Sequence, residues 1–289
     1  RSTLFPYTTL FRSNQRKLKM QQLESFPLFE QKDHRFIMLG WEEKEDGMAV
    51  QTNQYVITSG REIVLLDPGG AHVFPRVLAN VAELVDLKAI SHIFYSHQDP
   101  DVSSGITLWL SMAERAMVHI SELWVRFLPH FGIYDGRRIV SIPDGGKSLT
   151  LSGGARLMMV PSHFLHSTGC FSLYDSRSKI LFTGDIGAAL FPEGKRYPIV
   201  TDFEAHLPLM EGFHKRYMAS NAACRSWVHR VSALDVETIA PQHGAVIQGR
   251  ENVKKFLSWF EGLRCGTDIL DQLDRKSTRL NSSHNQRSR

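Results

Sequence analysis

The stretch Ser96-His97-Gln98-Asp99-Pro100-Asp101 places three side chains that can bind a metal at alternate positions. It follows an apolar run at residues 90–95, which predicts a buried strand, and a helical pattern begins at Ile106. Side chains at positions i, i+2 and i+4 of a loop that leaves a strand can converge on one point, whereas a helix would spread them. The stretch therefore predicts a metal site at the end of a strand.

Three later segments also place a ligand-type side chain near the end of a strand-like run. His166 comes after the apolar run at residues 157–160, Asp185 closes the run at residues 180–184, and His243 closes the next run along the chain. A polar loop with one histidine and two aspartates is common, and short motifs give many false matches. Because four strand-like runs lead to such a residue, a shared metal centre is the better interpretation.

The pattern of apolar residues predicts an α/β protein in which two runs of strands are interrupted by helices. The predicted strands cover residues 36–39, 54–58, 63–66, 90–95, 147–151, 155–160, 171–174, 180–182 and 238–240. The predicted helices cover residues 73–84, 106–112, 207–218, 222–231 and 251–263. Layer rules then place two packed sheets between outer helices.

With these motifs the chain resembles the metallo-β-lactamase superfamily, and more narrowly the diiron domain of flavodiiron proteins and their stand-alone oxygen-binding diiron relatives. Hydrolases of the superfamily usually carry His-x-His-x-Asp-His on the first loop, whereas this chain has Asp99 at the second position and Val102 at the last. A carboxylate at the second position is typical of flavodiiron proteins. The spacing of 19 residues from His166 to Asp185 is also close to their pattern. The resemblance extends from about residue 36 to residue 263.

The resemblance implies a four-layer αββα metallo-β-lactamase-like sandwich in which the ligand loops meet at one edge. It also implies three histidine and three aspartate ligands: His97, Asp99 and His166 on one metal, Asp101 and His243 on the other, and Asp185 bridging both. Val102 then leaves the second metal one protein ligand short. That position is expected to be open or filled by water.

The type of ligand bears on the metal and on the function. Three imidazoles and three carboxylates suit iron or manganese at least as well as zinc, and carboxylates stabilise higher oxidation states. We therefore expect two iron ions, with zinc or manganese as alternatives. One function is a dinuclear non-haem iron protein that binds or reduces O2 or another small diatomic ligand. The alternative is a dinuclear metal-dependent hydrolase of esters, lactones or phosphoesters.

The first function has two forms, a sensor and an oxidoreductase. Flavodiiron proteins append a flavodoxin-like domain that supplies electrons, and this chain ends soon after residue 263. We therefore expect reduction to need an external electron donor, which favours oxygen binding or sensing. An external redox or signalling partner and a homodimer are further expectations that no motif tests.

Both ends of the chain resemble translated DNA-sequencing adapters. The resemblance covers residues 3–13 and 274–284, and it predicts artefactual tails at 1–13 and 274–289 around one domain at 14–273. The two tails together carry a formal charge of +6, so residues 14–273 carry −2 although the whole chain carries +4. A nucleic-acid partner is therefore not expected.

The remaining composition indicates a cytoplasmic protein without a membrane partner. No apolar run approaches the roughly 18 residues that a membrane-spanning helix needs. Cys170, Cys224 and Cys265 are too few and too scattered for a disulfide framework, which makes a reducing compartment the simplest setting.

Some polar residues near the motifs have two interpretations. Asp67 closes a predicted strand, where it either orients a ligand histidine or belongs only to the turn Asp67-Pro68-Gly69-Gly70. His163 is expected to be a hydrogen-bonding wall residue beside His166. His206 and His214 lie in a helical stretch that could cover the site, and we expect surface or packing roles for them.

Overall fold

The two predicted runs of strands form two separate sheets. The computed structural model describes residues 25–40 and 50–272, so the predicted tails at 1–13 and 274–289 lie outside the described residues. Within those ranges the first sheet has seven strands in chain order: β1 (Phe26–Gln31), β2 (His34–Leu39), β3 (Gln54–Ser59), β4 (Glu62–Leu66), β5 (Ile90–Phe94), β6 (Met117–Ser121) and β7 (Ile139–Ile142). Strands β1 to β4 pair antiparallel, and β4 to β7 pair parallel.

The second sheet is built from the later half of the described residues. Its six strands are β8 (Lys147–Thr150), β9 (Arg156–Pro161), β10 (Phe171–Asp175), β11 (Ile180–Phe182), β12 (Thr238–Ala240) and β13 (Ile247–Gln248). Their spatial order is β13-β12-β11-β10-β9-β8, with β11 and β12 parallel and the other neighbours antiparallel.

Helices cover the outer face of each sheet. The α-helices that follow strands of the first sheet are α1 (Phe74–Leu84), α2 (Pro100–Ser103), α3 (Ile106–Met112) and α4 (Glu122–Val125). Those in the second half are α5 (Phe203–Tyr217), α6 (Asn221–Val231) and α7 (Arg250–Glu261). Among the described residues, no helix combines the length and the apolar character needed to cross a membrane.

Three apolar cores separate the four layers. Phe36 and Phe94 of the first sheet pack with Phe182 of the second between the two sheets. Trp109 lies in the core beneath the helices of the first sheet, and Trp227 lies in the core beneath the helices of the second. The predicted αββα sandwich is therefore confirmed. Burial on both faces explains why most central strands consist of nearly continuous apolar residues.

The carboxyl ends of four strands meet at one edge of the sandwich. The loops after β4 and β5 in the first sheet adjoin those after β11 and β12 in the second. Two backbone hydrogen bonds connect this edge: Gln242 N–H donates to the carbonyl of Gly184 at 2.8 Å between the loops after β12 and β11, and Phe171 N–H at the start of β10 donates to the carbonyl of Ser96 at 2.9 Å after β5. The loops that carry His97, Asp185 and His243 therefore start from neighbouring strand ends.

Candidate metal centre

The motif that contains His97, Asp99 and Asp101 runs from the end of β5 directly into α2. Asp99 is the residue before this short helix, and its carbonyl accepts hydrogen bonds from the N–H groups of Val102 at 3.0 Å and Ser103 at 2.8 Å. Pro100 begins the helix, where its missing N–H costs nothing. The sequence predicted a plain loop, whereas Asp101 lies in the first helical turn.

Asp185 lies at the centre of the predicted ligand set. Its Oδ1 is 3.7 Å from Nε2 of His97 and 3.4 Å from Nε2 of His243, and its Oδ2 is 3.0 Å from Nε2 of His166. Three imidazole nitrogens thus surround one carboxylate. A carboxylate in this position can bridge two cations and offset their mutual repulsion.

The other two aspartates lie on opposite sides of this centre. Asp99 Oδ2 is 3.4 Å from Nε2 of His166 and 3.9 Å from Nε2 of His97, and ligand atoms of these three residues lie within 4.8 Å of one another. Asp101 Oδ2 is instead 3.3 Å from Nε2 of His243. The structure therefore brings all six predicted side chains together, in two groups that share Asp185.

Unpartnered polar atoms at the centre fit bound cations. Among the described residues, Nε2 of His97, Nε2 of His166 and Oδ1 of Asp185 are buried and make no hydrogen bond. A buried polar atom without a partner costs about 1–3 kcal/mol, so such atoms are rare in folded proteins. Cations between them would satisfy all three. The donor set of imidazole nitrogens and carboxylate oxygens suits iron, manganese or zinc.

A buried carboxylate behind His97 fixes the orientation of its ring. The Ser96 hydroxyl donates to Oδ2 of Asp67 and lies 2.8 Å from Nδ1 of His97, and Ser96 N–H donates to Oδ1 of Asp67 at 2.7 Å. When Asp67 is ionised, the Ser96 hydroxyl proton is used on Asp67, so His97 donates from Nδ1 and its Nε2 lone pair faces the site. Of the two interpretations of Asp67, the structure supports the orienting one.

His243 is oriented by the backbone. Its Nδ1 lies 2.6 Å from the carbonyl oxygen of Gln51, which can only accept, so Nδ1 carries the proton and Nε2 faces the site. Gln242 Nε2 donates to Oδ2 of Asp101 at 3.3 Å. Sequence reasoning missed both contacts. The carbonyl that orients His243 leaves no signal in the sequence. The contact of Gln242 with Asp101 was indicated only by the position of Gln242 directly before His243.

The charges at the centre favour a cation. Burial acts to raise the pKa of Asp185, but His97 and His243 outweigh it and hold the pKa well below its usual range. Burial lowers the pKa of His97, although Asp185 opposes this. Burial also raises the pKa of Asp67 to about 8, against the hydrogen bonds from Ser96. Asp185 therefore carries its negative charge at neutral pH, which is the form that binds a metal.

A cavity of about 620 Å³ opens onto the two groups of ligands. Three aspartates and His243 face it, and much of its remaining wall is apolar, including Ala188, Leu190 and Phe213. Val102 is fully buried and packs in the core beneath the helices of the first sheet. Val102, which stands where the hydrolase motif has histidine, therefore does not line the cavity, and other residues supply its apolar wall.

Helix α5 forms one side of this cavity. Tyr217 at its end lines the cavity, and its ring centroid is 6.1 Å from that of His166. His214 is fully buried: its Nδ1 donates to the carbonyl of Met210 at 2.8 Å, and its Nε2 accepts from Gly187 N–H at 2.9 Å. It thereby connects α5 to the loop that carries Asp185.

The other histidines named from the sequence lie away from the ligand centre. His206 is fully buried and lies 2.7 Å from the hydroxyl of Tyr197, so a packing role is confirmed and a surface role is wrong for both α5 histidines. His163 lies 2.9 Å from the carbonyl of Asp144 and accepts from Gly169 N–H at 3.2 Å. The expected hydrogen bonds of His163 are confirmed, but His163 is not among the residues that line the cavity at the metal centre, so its expected place in the wall is wrong.

Comparison with known proteins identifies the family of this chain and several relatives. The sequence model of the family described as "ODP family beta lactamase" matches residues 50–244, which include all six predicted ligands. The chain belongs to this family. The resemblance to the metallo-β-lactamase superfamily is thereby confirmed.

Two solved structures of ODP proteins are similar to this ODP family chain over most of its length. The structure titled "Peroxy diiron species of chemotaxis sensor ODP" is 50% identical, with a TM-score of 0.77, and the match covers 86% of this chain and 99% of that one. The apo state of chemotaxis sensor ODP from T. denticola is 49% identical, with a TM-score of 0.76 and the same coverage.

Flavodiiron proteins are more distant relatives of this ODP family chain. A mutant of the flavo di-iron protein from Thermotoga maritima is 20% identical with a TM-score of 0.68, and the match covers 82% of this chain and 60% of that one, which shows a shared fold. Diflavin flavoprotein A 1 from Synechocystis sp. is 25% identical over 209 residues. Flavo-diiron protein FprA2 from Clostridium acetobutylicum is 23% identical over 200 residues. The chain spans only 35% and 49% of these two curated relatives.

Proposed function

We propose that this chain is a dinuclear non-haem iron protein that binds O2. The proposal rests chiefly on one observation: three imidazoles and two further carboxylates surround Asp185, with Nε2 of His166 at 3.0 Å. Asp99 supplies an oxygen ligand where the related hydrolases have histidine, which favours redox-active iron over zinc. The relative that is 50% identical carries the description of a diiron species in its title, and this agrees with the proposal.

In this proposal each ligand has a distinct role. His97, Asp99 and His166 would hold one iron, Asp101 and His243 the other, and Asp185 both. Ferrous ions in these positions would supply electrons and an open coordination position for O2.

The residues around the ligands would prepare them for this task. With Asp67 ionised, Ser96 would keep the proton of His97 on Nδ1, and the Gln51 carbonyl does the same for His243. Leu190 and Phe213 would give the cavity an apolar wall beside the reacting centre.

Within this function we propose sensing rather than autonomous turnover. The two solved ODP structures that are about half identical to this chain are titled as a chemotaxis sensor. The chain would then act through a signalling partner, and a reductase role would need an external electron donor. We place the protein in the cytoplasm because its three cysteines are free thiols. A homodimer stays a prediction.

Visible spectroscopy under controlled oxygen tests this function. Chain purified and loaded with iron without air should develop a charge-transfer band when O2 is admitted, and should consume little further O2 unless a reductant is added. Asp185→Asn, loaded in the same way, is the matched control and should lose most of the band. If the iron form gives no spectral response while a zinc-loaded form hydrolyses an activated ester or lactone efficiently, the hydrolase alternative is correct.

A further inference from the structure

Two buried thiols lie together in the core beneath the helices of the second sheet. Cys224 in α6 and Cys265 after α7 are both fully buried, and their sulfur atoms are 3.7 Å apart. A disulfide requires sulfur atoms about 2.05 Å apart, so the two sulfur atoms must come about 1.7 Å closer to be joined. Cys170, the third cysteine, lies instead beside Ser167, with its sulfur 3.3 Å from that hydroxyl.

The two thiols are not equivalent. The two sulfur atoms are close enough for one hydrogen bond, in which either can donate; with Cys224 as the donor, this contact lowers the pKa of Cys265 and, together with burial, raises the pKa of Cys224. The residues on either side of Cys265 in the chain include the exposed Arg264 and Thr267. Local opening of this short segment would expose Cys265 to a small oxidant.

The segment that contains Cys265 is connected to the loop that carries His166. Thr267 N–H donates to the carbonyl of Ala219 at 2.8 Å, and Ala219 N–H donates to the carbonyl of Phe164 at 3.1 Å. Phe164 is two residues before His166 in the chain. Gly266 also packs so closely on Ala219 that a Cβ atom there would lie 2.3 Å from the Ala219 carbonyl oxygen.

We propose that Cys224 and Cys265 form a reversible dithiol–disulfide site that reacts with hydrogen peroxide. When oxidised, this site holds the 265–267 segment against Ala219, which is hydrogen-bonded to the loop of His166. The Cys265 thiolate attacks the O–O bond, becomes a sulfenic acid and releases water after one protonation. The Cys224 sulfur then attacks the sulfenic sulfur, which forms the S–S bond and releases a second water. Two thiols lose two electrons and two protons, and one peroxide becomes two waters. This proposal does not depend on the identity of the metal.

Peptide mapping of the full chain tests the chemistry. Trypsin cuts after Arg216, Arg225, Arg264 and Arg275, so Cys224 and Cys265 fall on the peptides 217–225 and 265–275, and Cys170 falls on a third. After brief peroxide treatment and alkylation, wild-type chain should give 217–225 joined to 265–275, and dithiothreitol should separate them. Cys170→Ser is the matched control and should give the same cross-link. Cross-links that include Cys170, or thiols that peroxide leaves free or oxidises irreversibly, would overturn the proposal.

Hydrogen exchange tests the effect of oxidation on the 265–267 segment without relying on a variant that could fail to fold. In the oxidised wild-type chain, the amide of Ala219 should exchange about tenfold more slowly than in the reduced chain. The reason is that separation of Ala219 from the 265–267 segment now works against the cross-link. Amides of β2, which is remote from the pair in the fold, should not change. Equal exchange at Ala219 in both forms would contradict this part of the proposal.

Discussion

The hydroxyl of Ser96 lies between the buried carboxyl group of Asp67 and the imidazole of the predicted ligand His97. Ser96→Ala should remove the partner of His97 Nδ1 and one of the two hydrogen bonds to Asp67. Because such outer contacts fix the ring and raise its basicity, we expect iron affinity to fall by about 10–100-fold. Competition with a chelator measures this. Ser111→Ala, on an exposed turn of α3, is the matched control, and equal affinity in the two variants would refute the role of Ser96.

Asp185 and Asp101 should differ in how many metals they hold. Asp185→Asn keeps the shape of the side chain but removes the charge that faces all three histidines, so both positions should lose occupancy. Asp101→Ala removes a contact made with His243 and should empty mainly the second position. Metal analysis after iron reconstitution distinguishes the two variants. Loss of a single ion in both would argue against a bridging Asp185.

The sequence could predict the ligands at this scale but not how they are oriented. Six residues of two types, histidine and aspartate, indicated the metal centre by their spacing, because a ligand must have a donor atom and a strand end fixes its place. The Gln51 carbonyl that orients His243 has no counterpart in the residue pattern. The direction of the Val102 side chain depends on the turn of α2, which the pattern at residues 96–101 does not reveal.

At the scale of elements, strands were missed from the sequence for different physical reasons. β1 contains Pro27, which lacks an N–H, and its pairing with β2 shifts next to that residue, as an edge strand permits. β6 carries the buried His119 among its apolar residues, and β7 is only four residues long. The strands that were predicted lie within one or two residues of their observed bounds.

The same His119 takes part in a polar row across β4, β5 and β6. Its Nε2 is 3.0 Å from Nδ1 of His92, whose Nε2 is 3.3 Å from Glu62, and the Ser152 N–H also donates to Glu62. Burial, then the nearby His92 and Lys147, lowers the pKa of His119 from its ordinary 6.5 to about 3. The imidazole is therefore neutral in the folded protein throughout the physiological range.

This row predicts a pH dependence of stability. The unfolded chain binds a proton at His119 near pH 6.5, whereas the folded chain resists it until about pH 3. The contribution of a neutral His119 is thus fully present above pH 6.5 and is lost as the pH falls toward 3, by at most about 1.4 kcal/mol per pH unit. His119→Gln should flatten the urea-unfolding free energy over this range in metal-free protein. His130→Gln, at an exposed position, should retain the slope, and equal slopes would contradict the assignment.

At the scale of the whole molecule, the layers follow from the sequence only in part. Alternating runs of strands and helices predict two sheets between outer helices, but the meeting of four loops at one edge came from the family resemblance. The pairing of Cys224 with Cys265, 41 residues later, depends on how α6 packs beside the end of α7 and could not be predicted from spacing.

We propose that both predicted tails are dispensable. The proposal rests on their resemblance to sequencing adapters and on the lack of apolar periodicity at residues 275–289. Deleting residues 1–13 and 274–289, separately and together, should leave the melting temperature and the metal content unchanged. A clear loss of either quantity in one deletion would show that this tail belongs to the folded protein.

The central claim is that two irons share Asp185 and react with O2 as a pair. Mössbauer spectroscopy of chain loaded anaerobically with isotopically enriched iron tests this most directly, together with metal analysis of the same sample. We predict two irons per chain, which form one magnetically coupled pair after O2 is admitted. A single ion per chain in the presence of excess iron, or two ions that remain magnetically independent after O2, would contradict the account.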